Sequence, residues 1–185
     1  MNPQNPYVGP RAFTTGEPLY GRGSERAALL DLLVAERVVL LHAPSGAGKS
    51  SLLAAGLIPD LRAEGFVVRP PIRVGTEPPA SAAAVNRFCF SAVLSLAEGE
   101  AQRSMAELGS ASLASFLGDD PAEAEVLIFD QFEEVLTIDP VDLASKHAFF
   151  ADLGAALRCP QRWAVIAIRE DHLAGLAPYQ RALPT

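Results

Sequence analysis

Residues 38–53 read Val38-Val39-Leu40-Leu41-His42-Ala43-Pro44-Ser45-Gly46-Ala47-Gly48-Lys49-Ser50-Ser51-Leu52-Leu53: a β-branched apolar run, a loop of small residues, and a helix-forming stretch. This is the make-up of a phosphate cradle. Glycine at 46 and 48 frees the backbone to curl around a polyphosphate with its N–H groups inward, and the following helix adds unpaired N-terminal donors. Ser45, Gly46, Ala47, Gly48, Lys49, Ser50 and Ser51 are therefore the candidate nucleotide contacts. Lys49 would reach the β- and γ-phosphates, and the Ser50 hydroxyl would ligate Mg²⁺. The consensus loop begins with glycine, and Ala43 holds that place here; alanine at negative φ removes no phosphate donor. Lys49 and Lys146 are the two lysines of the chain, the other basic residues being arginine. Gly-Lys-Ser-Ser at a helix start has no packing rationale of its own.

A length of 185 residues fits one domain with one core. The net charge of −7 opposes a broad nucleic-acid-binding surface, so phosphate recognition has to be local. Cys89 and Cys159 are too few for a disulfide framework or a zinc site, and buried thiols in a reducing cytoplasm are expected. The N-terminus has no basic-then-apolar leader, and no apolar run is long enough to span a membrane.

Outward from the loop, residues 1–20 are rich in proline and turn formers and read as an extended arm, with the nucleotide-binding domain over 21–185. Ser24 can cap a helix through Leu33 with Ala28, Leu29, Leu32 and Leu33 on its apolar side. The first strand, 37–42, is continuously apolar, which suits burial on both faces of a parallel sheet. The helix after the loop runs from Lys49 to Glu64 with Gly65 as its stop, and Pro59 predicts a kink or an early break. Phe66–Val74 reads as a strand that Pro70 and Pro71 push to an edge or split. An amphipathic helix is expected over 84–96, and residues 98–125 read as irregular apart from a short helix at 113–117. Then come a strand at 126–129, a helix from Asp142 or Ala144 to Arg158 with an apolar stripe of Phe149, Phe150, Leu153 and Leu157, a strand at 163–168, and a short helix to Pro178. Alternating strands and helices give an α/β fold with a mostly parallel sheet.

Ligands of open parallel sheets lie beyond the carboxyl ends of the strands. Two later strands end there in charged groups. Val126-Leu127-Ile128-Phe129 closes on Asp130, the Walker B pattern, in which a carboxylate completes the Mg²⁺ site with Ser50. The 163–168 strand closes on Arg169, which reads either as a γ-phosphate sensor or as half of an ion pair with Glu170, Asp171 or a carboxylate of the neighbouring strand end. Hydrolysis needs a group to deprotonate water. Gln131 stands where many ATPases carry that glutamate, and Glu133 and Glu134 follow, pointing about 100° apart if a helix or turn begins at Gln131. The residues alone leave both open. His42 and His172 lack a catalytic constellation and read as structural.

Asn5-Pro6-Tyr7, Arg11-Ala12-Phe13, Leu19-Tyr20-Gly21-Arg22, Pro44 to Leu52, Ala55-Gly56-Leu57-Ile58-Pro59, Asp130-Gln131-Phe132-Glu133-Glu134 and Arg169-Glu170-Asp171, in that order, resemble the STAND NTPases. The bacterial "novel STAND" subgroup, often fused to WD40 or other repeats, is the best match. The resemblance implies a P-loop NTPase of the ASCE division, a three-layer sandwich with Asp130 as metal acid and Arg169 as sensor. It also implies that Gly21 and Arg22 lie near the adenine, although Gly23 stands where an acid often follows. Members continue into a fifth core strand and helical domains, so the chain is expected to be truncated before the last core strand, leaving the strand before the loop as an edge.

The implied function is an ATP-binding regulatory module of a signalling or antiphage-defence protein. It would bind ATP or ADP with Mg²⁺, hydrolyse slowly as a switch, and work beside other domains of a parent protein, with homo-oligomers a further expectation. A P-loop small-molecule kinase is the alternative enzyme, disfavoured because the 98–125 excursion offers only Arg103 to a lid. A GTPase is disfavoured because no guanine-reading segment appears. A non-hydrolysing interaction domain is opposed by intact Lys49, Ser50 and Asp130.

Overall fold

Apolar runs at 38–43, 125–129 and 162–169 assemble into one sheet, and the helices between them close over both of its faces. The computed structural model describes residues 11, 13, 14, 16–82, 84–98 and 103–184, so most of the expected 1–20 arm lies outside the described residues. The elements in chain order are α1 (Gly23–Glu36), β1 (Val38–Ala43), α2 (Lys49–Ser51), a π-helical segment (Leu52–Leu57) and α3 (Ile58–Ala63). They continue as β2 (Val67–Val68), α4 (Arg87–Leu96), α5 (Met105–Ser110), α6 (Leu113–Leu117), β3 (Glu125–Phe129), α7 (Glu134–Thr137), α8 (Leu143–Leu157), β4 (Arg162–Arg169) and a 3₁₀ segment (Glu170–Ala182). The four strands are parallel in the order β1-β4-β3-β2.

Side chains of the central strands alternate between two cores, as the pleat requires. Leu127, Phe129, Ala164, Ile166 and Ile168 face α4, α6, α8 and the 3₁₀ segment. Val126, Ile128, Val165 and Ala167 face α1 and the helix that follows the loop. The stripe expected on α8 is fully buried in the first core, with Phe150 stacked on Tyr179 at 4.2 Å. At the amino ends of β3 and β4 the buried Arg162 donates to Glu125, Ala156 O, Gly118 O and Leu117 O, tying the strands to the ends of α6 and α8.

Several expectations are corrected. β1 is the edge strand that the resemblance led one to expect, and what fails is the two-faced burial read from its continuous apolarity, since Leu40 remains 41% exposed. α1 starts at Gly23 without a side-chain cap; Ser24 lies inside it, and Leu32 and Ala28 are exposed while Leu29 and Leu33 pack. Pro59 neither breaks nor ends its helix. The preceding π-helical register and the proline's place in the first turn of α3 absorb the missing N–H. Gly65, at φ 89°, does stop it: Phe66 N donates to Leu61 O and Gly65 N to Arg62 O, a Schellman closure. α4 is buried on nearly every side instead of being amphipathic. The 98–125 stretch carries α5, closed by a Ser104–Glu107 capping box, as well as the expected α6. The second strand is split as its prolines imply, leaving β2 and an isolated bridge from Ile72 to Phe129. Among the described residues no helix is long and apolar enough to cross a membrane.

Candidate functional site

The carboxyl ends of β1, β4 and β3 stand side by side, which gathers the loop, Arg169 and Asp130. Ala43 pairs with Arg169 as the last residue of β1, so a glycine is not needed there. The turn that follows does need glycine: Gly46 and Gly48 sit at φ 78° and 82°. Within the loop Ala47 N donates to Pro44 O, while the amides of Gly46, Gly48 and Lys49 meet no protein acceptor among the described residues. The Lys49 ammonium folds back over the loop and donates to Ala43 O at 2.9 Å and Pro44 O at 3.1 Å. Arg22 grips the outside of the same loop, donating to Ala47 O at 2.6 Å.

A cleft of about 530 Å³ opens on the inner side, lined by Ser45, Gly46, Gly48, Lys49, Ser50 and Ser51 from the loop and by Asp130, Gln131, Glu133 and Arg169 from the strand ends. Arg11 closes its rim and is paired with Glu17. A second cleft of about 310 Å³ adjoins it, where Phe13, Leu19, Tyr20 and Arg22 face Gly46, Ala47, Gly48 and Ser51. The Ser51 hydroxyl accepts from Phe13 N at 3.0 Å, fastening the segment before α1 to the loop helix. Gly21 lines neither cleft; at φ 75° it turns the chain between Tyr20 and Arg22.

Asp130 is nearly buried, and each of its oxygens has a partner. Oδ1 accepts from Ser50 Oγ and from Gln131 N, both at 3.0 Å, and Oδ2 lies 3.2 Å from Arg73 Nη2. A hydroxyl beside a carboxylate fits Mg²⁺, which keeps several waters and takes its remaining oxygens from phosphates. Among the described residues no group of three or more His, Cys, Asp or Glu side chains could hold a metal ion.

The two open glutamates separate. Gln131 takes a left-handed φ of 58°, which redirects the chain before α7. Glu133 lines the larger cleft, and its Oε2 accepts from Arg169 N at 3.2 Å. Glu134 turns instead toward Gly75, where a Cβ would overlap its carboxylate. Burial pushes the Glu134 carboxyl above the usual glutamate range against the pull of Arg73, and the charges of Glu133 and Asp130 push the same way. Arg169 lines the cleft but its guanidinium is held by Asp171, at 3.2 and 2.6 Å. Of the alternatives for its partner, Asp171 is the one realised. His172 lies 3.8 Å from the same Asp171, outside the cleft.

Arg73 is a charged group beside this site that none of the motifs reveals. Arg73 directly follows an apolar residue bridged to Phe129, so it repeats the strand-tip pattern of Asp130 and Arg169; the prolines before it mask that signal. Comparison with curated proteins gives no match. The family model described as Novel STAND NTPase 1 matches residues 6–184, which include the loop, both strand-tip residues and the acidic turn after Asp130. With that match over nearly the full length and a parallel α/β sheet carrying a phosphate loop, the chain belongs to the Novel STAND NTPase 1 family.

Proposed function

We propose that this chain is an ATP-binding switch module that holds Mg-ATP in the 530 Å³ cleft and hydrolyses it slowly. The observation that carries the reading is the 3.0 Å bond between Ser50 Oγ and Asp130 Oδ1, two residues that line one cleft with the glycine turn at 46–48. Lys49 would exchange two carbonyls for β- and γ-phosphate oxygens, a trade from neutral to charged acceptors that favours binding. Ser50 and Asp130 would hold Mg²⁺, which neutralises charge developing on the phosphates. Phe13, Leu19, Tyr20 and Arg22 offer an apolar and cationic pocket of the size of a base next to the loop.

Glu133 is the group placed to take a proton from water beside the γ-phosphate. Arg169 would leave Asp171 to read that phosphate; the exposed pair costs little to break. Slow turnover follows from a base already accepting from Arg169 N. β4, standing between the loop strand and the strand of Asp130 with its arginine aimed at the cleft, supports the ASCE assignment. The 1–20 arm as an appendage to a 21–185 domain, partner domains in a larger protein, homo-oligomer formation, a cytoplasmic setting suited to the free thiols of Cys89 and Cys159, and a role in signalling or defence belong to the same proposal.

Titration of a fluorescent ATP analogue with Mg²⁺ tests it. Lys49→Ala should weaken binding by about two orders of magnitude, as expected for losing a charge-assisted contact of about 3 kcal/mol. Equal affinity in the two proteins would overturn the reading. A phosphorylated acceptor from a metabolite mixture would redirect it to a kinase.

A further inference from the structure

Arg73 reaches Asp130 from the segment bridged to β3 at Ile72. Ile72 N donates to Ile128 O at 2.7 Å and Asp130 N to Ile72 O at 3.0 Å, so residue 73 stands level with the tip of β3. From there the guanidinium spans two acceptors, Asp130 Oδ2 at 3.2 Å and the side-chain oxygen of Gln131. Its backbone is clamped by the buried serines of α4. Arg73 N donates to Ser95 Oγ at 3.1 Å, and Arg73 O accepts from Ser91 Oγ at 2.8 Å and Ser95 Oγ at 3.5 Å. The base of the side chain is therefore fixed by the helix behind it, not by the loop. Asp130 Oδ1 is already engaged by Ser50 and Gln131 N, so Arg73 supplies the one formal positive charge in direct contact with this carboxylate among the described residues.

We propose that Arg73 is a positioning residue that acts as the resident counter-cation of Asp130, so that the site refuses a bare divalent ion and accepts one only with the charge of a polyphosphate. This rests on the reading of Asp130 and Ser50 as the metal side of the cleft. A divalent ion at Ser50 and Asp130 meets a like charge a few ångströms away, and the attraction of Asp130 for it is already partly cancelled. A triphosphate brings about four negative charges of its own and restores the balance.

The test uses Mn²⁺ alone, with free ion counted by electron paramagnetic resonance in nucleotide-free protein. The neutral variants Arg73→Gln and Arg73→Met should bind Mn²⁺ about tenfold more tightly than the original chain, and Arg73→Lys should bind as weakly as the original. Adding Asp130→Asn to Arg73→Gln should abolish the gain. A structural salt bridge with no bearing on the metal would not tighten binding in this way. Two neutral variants guard against one that folds poorly, each checked by circular dichroism. Unchanged Mn²⁺ affinity in a folded neutral variant, or a gain that survives Asp130→Asn, would overturn the role of Arg73. Failure of the original chain to bind Mg-ATP is a separate result that would instead overturn the proposed function.

Discussion

Gly154 lies inside α8, three residues before its end at Leu157, where helix propensity alone says that alanine should be better. Replacing a glycine inside a helix gains about 1 kcal/mol. The tertiary structure reverses the sign. A Cβ built on Gly154 falls 1.8 Å from Ala182 O and 2.8 Å from Ala182 C, both backbone atoms of the 3₁₀ segment. An ordinary C···O contact is about 3.3 Å, so the carbonyl would have to retreat by roughly 1.5 Å. No rotamer change can relieve this, and the segment is anchored nearby by the stacking of Phe150 on Tyr179. Overpacking of this kind costs about 1–3 kcal/mol, and more where backbone must move. After the propensity gain is subtracted, Gly154→Ala should destabilise by about 2 kcal/mol, or lower Tm by about 6 °C for a chain of this size. Gly23, the first residue of α1, has nothing within 4 Å of its would-be Cβ, so Gly23→Ala should stabilise by about 0.5 kcal/mol. Urea denaturation and thermal melts of the two variants side by side check the argument. A Gly154→Ala protein as stable as the Gly23→Ala protein would refute the packing of the 3₁₀ segment on α8.

The two glutamates should part in both chemistry and stability. Glu133→Gln should slow single-turnover phosphate release by about 10²–10⁴-fold with nucleotide affinity kept, whereas Glu134→Gln should stay within about threefold of the original; equal losses would refute the assignment. Glu134 ionises above its unfolded value, so the folded state holds this proton more tightly than the unfolded chain. Its contribution is fully present below the ordinary glutamate pKa and is lost as pH rises through the raised one. Glu134→Gln should therefore be the more stable protein at neutral pH, with an advantage that shrinks as pH falls into the acid range, read from urea midpoints across pH. The Cys89 thiol is pushed up to about 12, first by burial and then by the nearby Asp152 carboxylate. At pH 8 a thiol reagent should label the partly exposed Cys159 rapidly and reach Cys89 only after denaturant is added, and comparable native rates would contradict the packing of α4 against α8.

The glycine turn, Asp130 and Arg169 were legible as strand-end positions in the linear chain because parallel strands read as unbroken apolar runs. The first polar residue after such a run lies where ligands bind. Gly65 as a helix stop, the split second strand and the Phe149–Leu157 stripe were legible for similar reasons, since local backbone chemistry and helical spacing decide them. Burial of β1 was misread because an edge strand and a central one can carry the same apolar run; which it becomes depends on what pairs with it. The early break read from Pro59 does not occur because a helix can absorb a proline by widening one turn ahead of it. Glu133 and Glu134 could be distinguished only by the tertiary fold. The left-handed Gln131 sets the direction in which the next residues leave the strand, and contacts with Arg169 N and Gly75 decide which carboxylate enters the cleft. Arg73 belongs wholly to that second class. The sequence determined that a glycine turn joins a strand to a helix and that a carboxylate closes another strand, because those are properties of short contiguous segments. Strand order and register decided which distant charges oppose them, because a side chain's electrostatic partners are set by distance through space and not along the chain.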